Sequence, residues 1–208
     1  MRRIAIDRTD PDMSLLAEAA DILLSGGLVV FPTETVYGVG AAMDRPEALN
    51  RLFELKGRSS DKPLTLHLAD IETFHRFAAD TSAALEALLA EYWPGPLNVV
   101  VPVRSPLPLS SGRLWSEAGF RLPDCLIARK LASYTGGVIL ATSANKSGNP
   151  APADADTVEK ELGDGVELIL DAGRCSGGTA STVVRIKGKK PEIIRAGAIP
   201  PEKLLHFF

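Results

Sequence analysis

The chain has 208 residues, with 23 Lys+Arg against 26 Asp+Glu for a formal net charge of -3, and it is 45% apolar and 24% charged. This is the composition of a globular protein of one large domain or two small ones, and it excludes disordered, collagen-like and bulk nucleic-acid-coating chains. No apolar run reaches the ~20 residues of a membrane span, because Leu28 to Phe31 is cut by Gly27 and Pro32. Arg8, Asp10 and Asp12 come too early for a signal peptide, so a cytoplasmic protein with no membrane partner is expected. Cys125 and Cys175 are far apart and read as small buried hydrophobes, not a disulfide framework or zinc ribbon.

In chain order, Leu15, Leu16, Ala19, Ala20, Leu23 and Leu24 recur at helical spacing before the stop Gly26-Gly27. Leu28 to Phe31 reads as a buried strand, and Pro32 to Gly40 as a loop. A helix opens at Arg45-Pro46 and runs out at Leu55 to Arg58, and Pro63 to Leu68 is the next strand. Helices at Ile71 to Phe77 and Ser82 to Tyr92 precede a strand at Leu97 to Val103 and an exposed loop at Pro106 to Ser111. Asp124 is the expected N-cap of a helix closed by Gly136-Gly137. Then come a strand at Val138 to Ala141, a helix at Asp156 to Leu162 and a strand at Val166 to Leu170. A hairpin of Thr182 to Ile186 with Pro191 to Arg195 turns at Gly188-Lys189. The alternation predicts one α/β domain over residues 1–208, built on an open mixed sheet flanked by helices.

The familiar nucleotide motifs are absent. There is no Gly-x-x-x-x-Gly-Lys-Ser/Thr, and Gly38-Val39-Gly40 lacks the third glycine of a dinucleotide fingerprint. What remains are polar clusters at strand ends, where open α/β sheets bind ligands. They are Thr33, Glu34, Thr35 and Tyr37; Lys56, Arg58 and Lys62; Ser143, Asn145 and Ser147; and the small run Gly177 to Thr182. Each alone has a plainer explanation, as a capped turn, a solvated charge face or a tight turn. Arg121 and Arg195 are singly surface arginines, and His67 is a half-buried strand histidine with no metal-ligand partner at suitable spacing. Together, cations without a P-loop beside hydroxyls and an amide suit a phosphate-bearing substrate with a polar head group.

At these residues the sequence resembles the threonylcarbamoyl-adenylate synthase family, the YrdC-like proteins. The resemblance is carried in order by Phe31-Pro32-Thr33-Glu34-Thr35-Val36-Tyr37-Gly38, Lys56-Gly57-Arg58 through Lys62-Pro63-Leu64 and Trp93-Pro94-Gly95-Pro96-Leu97. It continues through Arg121-Leu122-Pro123-Asp124, Ser143-Ala144-Asn145-Lys146-Ser147-Gly148, Ser181-Thr182-Val183-Val184 and Arg195-Ala196-Gly197. The resemblance implies a twisted YrdC-like sheet and synthesis of threonylcarbamoyl-AMP and pyrophosphate from L-threonine, bicarbonate or CO2, and ATP with Mg2+. The product would be handed to a tRNA threonylcarbamoyltransferase complex for t6A modification.

By the same matching, Lys56, Arg58, Ser143 and Asn145 are the catalytic set, and Lys56, Arg58, Lys62, Asn145 and Arg195 bind ATP. Thr33, Thr35, Tyr37, His67, Arg121, Ser143 and Ser181 hold threonine or its carbamate. No protein-bound metal is expected. Cys125, Ala153 and Arg185 depart from the residues common in relatives, and the end at Phe208 implies a chain without the C-terminal domain of longer members, hence without a lid from it. The alternatives are an RNA-binding module of this fold, with weak RNA affinity, and a carbamoyl-transfer paralogue with another acceptor.

Overall fold

The computed structural model describes residues 1–79, 82–110, 112–188 and 190–208. The strands are β1 (Arg2–Ala5), β2 (Val29–Phe31), β3 (Gly38–Ala41), β4 (Thr65–Leu68), β5 (Leu97–Ser110), β6 (Arg113–Arg121), β7 (Val138–Ser143), β8 (Leu168–Asp171), β9 (Thr182–Lys187) and β10 (Lys190–Arg195). The helices are α1 (Met13–Leu24), α2 (Pro46–Lys56), α3 (Ile71–Phe77), α4 (Ala83–Tyr92), α5 (Leu126–Tyr134), α6 (Ala155–Leu162) and α7 (Pro201–Leu205). All strands join one open mixed sheet in the order β1-β8-β2-β3-β7-β4-β6-β5-β9-β10. Among the described residues no helix is long and apolar enough to cross a membrane.

The helices start and stop for local reasons. Asp12, Asp70 and Asp154 accept hydrogen bonds from first-turn amides of α1, α3 and α6. Pro46 opens α2, and Gly57 ends it in the left-handed conformation at φ 58°, open to glycine at little cost.

Strand alternation then sorts side chains to two faces. One face carries Val30, Val39, Leu66, Val99, Phe120, Leu140, Ile169 and Val184, packed into one core with apolar residues of α2, α3, α4, α6 and α7. The opposite face carries Val29, Phe31, Ile139, Ala141, Leu168 and Leu170, and α1 and α5 cover it through Leu16, Ala19, Leu23, Ile127, Ala128 and Leu131. That second core ends at β7. On the same face α5 also reaches β4, while positions of β4, β6, β5, β9 and β10 there line a cavity.

Several readings of the sequence need correction. Gly38–Ala41 is a strand and not loop, antiparallel to both β2 and β7. Its glycines answer to packing: a Cβ on Gly40 would lie 2.5 Å from Ile139 Cγ2 and 3.0 Å from the Phe31 ring. The stretch expected as a loop from Pro106 continues β5 to Ser110, with register shifts against β6, and Ser111 lies outside the described residues. The hairpin of β9 and β10 is antiparallel as expected, with Lys189 of its turn outside the described residues. Cys125, not Asp124, is the N-cap of α5 and makes no side-chain capping bond, while Asp124 faces Arg129 at 3.6 Å.

Candidate functional site

This polar part of the sheet is the floor of a cavity of about 610 Å³, within the size range of small-molecule sites. Register places its residues in two rows across the strands. Thr65 of β4 is opposite Gly119 of β6, Gly119 opposite Val100 of β5, and Val100 opposite Arg185 of β9. In the next row His67 is opposite Arg121, and Asn98, Val183 and Arg195 continue across β5, β9 and β10. Each row points to the same face because side chains alternate along every strand.

Of the residues singled out from sequence, Thr33, Tyr37, Arg58, Lys62, His67, Arg121, Ser143, Ser181 and Arg195 line this cavity. Lys56, Thr35 and Asn145 are not among its lining residues. Lys56, only 2% exposed, donates from Nζ to the carbonyls of Ser143 and Asn145 and, at 3.5 Å, to Asn145 Oδ1. Asn145 Nδ2 donates to Lys146 O at 3.1 Å and Asn149 O at 2.6 Å. The pair therefore clamps the turn that presents Ser143. Burial, and then the Arg58 charge, push the Lys56 ammonium down to about 8.

Arg121 is 4% exposed, and its Nη2 donates to Glu34 Oε1 and Thr35 Oγ1, both at 2.8 Å. The Thr35 hydroxyl lies 2.9 Å from Thr33 Oγ1, which donates to Val36 O at 2.6 Å. Thr33 and Thr35 thus orient the guanidinium through a short hydroxyl chain. The Tyr37 hydroxyl is committed elsewhere: it donates to Gly173 O at 2.7 Å and accepts from Ala172 N at 3.1 Å. Burial raises its pKa further, so it serves as a fixed wall.

Arg58 donates from Nε and Nη2 to Lys62 O and Pro63 O, each at 2.9 Å. Arg195 donates from Nη2 to Ser181 O at 2.7 Å and Ser181 Oγ at 3.1 Å. That reach depends on Gly197, where a Cβ would run into the backbone of Ala180 and Ser181. Burial lowers the pKa of both guanidiniums, and each feels a further cation, Arg195 on Arg58 and Arg121 on Arg195. Burial and the Arg121 charge also push His67 down to about 3, so its imidazole is neutral. Arg58 and Arg195 are crowded, partly desolvated cations that bond backbone carbonyls and a hydroxyl, a setting that an anionic ligand relieves.

Unmet hydrogen-bonding capacity points the same way. Buried side-chain atoms without a partner include His67 Nδ1, Asn98 Oδ1, Arg121 Nε and Arg185 Nε, all on cavity-lining residues. Asn98, Thr65, Glu117 and Arg185 were not singled out from sequence as site residues. They sit inside strands, and the one available signal was Asn98 interrupting the apolar run from Leu97 to Val103. Arg185 bridges Glu117 at 3.1 Å and Glu192 at 3.3 Å. In the small run Gly177 to Thr182 the glycines pack on protein, Gly177 N and Gly178 N donating to Glu34 O and Thr35 O, both at 2.9 Å, while Ala180 and Ser181 line the cavity. No group of three or more His, Cys, Asp or Glu side chains that could hold a metal ion is present among the described residues.

A family model for Sua5, YciO and YrdC, described as "Telomere recombination", matches residues 21–197. The threonylcarbamoyl-AMP synthases of Pyrococcus abyssi and Bacillus subtilis are 38% and 35% identical over 89% and 91% of this chain. The chain spans 55% of the length of each of these relatives. The crystal structure of P. abyssi Sua5 complexed with L-threonine superposes with a TM-score of 0.91 at 35% identity, covering 100% of this chain and 61% of that one.

Proposed function

The chain belongs to the Sua5/YciO/YrdC family, and from that premise we propose that it makes L-threonylcarbamoyl-AMP and pyrophosphate from L-threonine, bicarbonate or CO2, and ATP, a nucleotidyl transfer. One observation carries the proposal: Arg58, Lys62, Arg121 and Arg195 converge in a single cavity with Ser143, Ser181 and a neutral His67. The fold is that of a protein solved with L-threonine. Cations gathered inside a cavity suit a compact polyanion better than an RNA strand, which needs a track of phosphate contacts.

In this reading Arg58, Lys62 and Arg195 neutralise the triphosphate, and Mg2+ enters with ATP, held mainly by phosphate and water. Arg121, kept in place by Glu34, Thr35 and Thr33, offers its unpartnered Nε to a carboxylate or carbamate oxygen. Ser181 and His67 flank it. Lys56 and Asn145 act by fixing the turn that carries Ser143.

The neutral threonine amine first adds to CO2 and releases a proton to water, leaving a carbamate. A carbamate oxygen then bonds to the α-phosphorus as the bond to the β-phosphate oxygen breaks, and pyrophosphate leaves. No enzyme nucleophile is required, so catalysis rests on positioning and charge neutralisation. The mixed anhydride then passes to a tRNA threonylcarbamoyltransferase for t6A formation.

The test is incubation of the purified protein with ATP, Mg2+, L-threonine and labelled bicarbonate. Equal amounts of pyrophosphate and labelled threonylcarbamoyl-AMP are expected. Absence of labelled product, together with tight RNA binding at physiological salt, would replace this reading with an RNA-binding one.

A further inference from the structure

Asn98 lies on β5 in the same row of the cavity floor as His67 and Arg121. It is 7% exposed, and its Nδ2 donates to Thr65 Oγ1 at 2.9 Å while Oδ1 is buried without a partner. A neutral acceptor held in this way needs one donor from the ligand. An ammonium is a poor match here, because the neighbouring Arg121 and Arg195 are cations. A hydroxyl supplies the hydrogen without adding positive charge.

The surroundings make room for that amide. A Cβ on Gly119, the β6 residue opposite Thr65, would lie 2.9 Å from Asn98 Oδ1 and 3.4 Å from Nδ2. Glycine at 119 therefore leaves the space the amide occupies, and Thr65 fixes its orientation. Asn98, Thr65 and Gly119 form one device across three adjacent strands.

We infer that Asn98 Oδ1 accepts the side-chain hydroxyl of the amino-acid substrate and so selects a hydroxyl-bearing amino acid over its methyl isostere. This rests on the synthase reading above. A site built to pair a hydroxyl rejects the analogue lacking it, since its own polar atom is then left unsatisfied in a dry place.

The experiment compares L-threonine with L-valine as substrates, following pyrophosphate release and carbamoyl-adenylate formation in the wild type, Asn98→Ala and Gly119→Ala. The wild type should prefer threonine strongly. Asn98→Ala should raise the KM for threonine about tenfold or more while leaving that for valine and for ATP nearly unchanged. Gly119→Ala, which keeps the asparagine but displaces its amide, should erode the same preference. A threonine-to-valine ratio unchanged in both variants overturns the inference, and so does a KM for ATP that rises in step with that for threonine, which marks a merely structural residue. If the wild type forms no adenylate with either amino acid, the synthase reading itself has failed, an outcome distinct from a preserved ratio in active variants.

Discussion

Two halves of one sheet face obey the same alternation and end differently. Over β1, β8, β2, β3 and β7 the positions on this face are Val29, Phe31, Ile139, Ala141, Leu168 and Leu170, and α1 and α5 seal them. Over β4, β6, β5, β9 and β10 the equivalent positions are Thr65, His67, Asn98, Glu117, Arg121 and Arg185, among a few apolar ones, and they line the cavity, with α5 packed beside β4. The opposite face is apolar along nearly the whole sheet. A sheet buried on both faces needs apolar residues throughout, whereas one left open can carry polar groups. The change from apolar to polar positions on this face is what makes the cavity.

The largest effect expected from this contrast is on activity in the open half. Arg58→Ala should lower adenylate formation about 100-fold or more, as removal of transition-state charge stabilisation does, with the far-ultraviolet circular dichroism retained. An unchanged rate would remove Arg58 from the site. In the covered half the sign reverses. Leu131→Ala, at a fully buried position of α5, should cost about 2–5 kcal/mol in denaturant unfolding while both KM values stay close to wild type. A large KM change there would break the division into halves.

Lys56→Met probes the boundary. It removes the Nζ donor shared by the carbonyls of Ser143 and Asn145, leaving Ser143 O with the Asn145 amide at 3.0 Å, so stability should fall by about 1–3 kcal/mol and turnover by about tenfold through the misplaced Ser143. Loss of turnover with full stability would mean instead that the ammonium meets substrate directly.

The smallest effect is a pH slope. His67 titrates at about 3 in the folded chain against an ordinary 6.5. Between those values the unfolded chain binds a proton that the folded chain does not, so stability falls as pH falls through that window. His67→Gln should flatten this dependence by up to about 1.4 kcal/mol per pH unit. Parallel pH profiles for the two proteins would contradict the buried, neutral assignment.

Much of the covered half was legible in the sequence. Short apolar runs such as Leu28 to Phe31 and Val138 to Ala141, and the helical spacing before Gly26, are signals of burial on both sides. β3 was hidden because Gly38 and Gly40 are small to admit Phe31 and Ile139, and glycine pairs otherwise mark turns. β6 was hidden because Glu117, Gly119 and Arg121 face a cavity while Ala118 and Phe120 face the core, so the strand lacks a continuous apolar run. The cavity lining was legible where residues stand at strand ends. Asn98 and Arg185 escaped because alternation reports which side chains share a face, not whether a helix covers it. The bonds that Lys56 and Asn145 make escaped because sequence shows a cation and an amide but not the carbonyls they meet.

The most direct measurement is amide chemical-shift mapping on isotope-labelled protein as L-threonine is added. Shifts should concentrate at Thr65, His67, Asn98 and Arg121 on the open half of the sheet, with α1 and α5 unaffected. Shifts confined to α1, α5 or the strands beneath them, or no saturable shift at all, would contradict the claim that the cavity-lining half of this sheet is the substrate site.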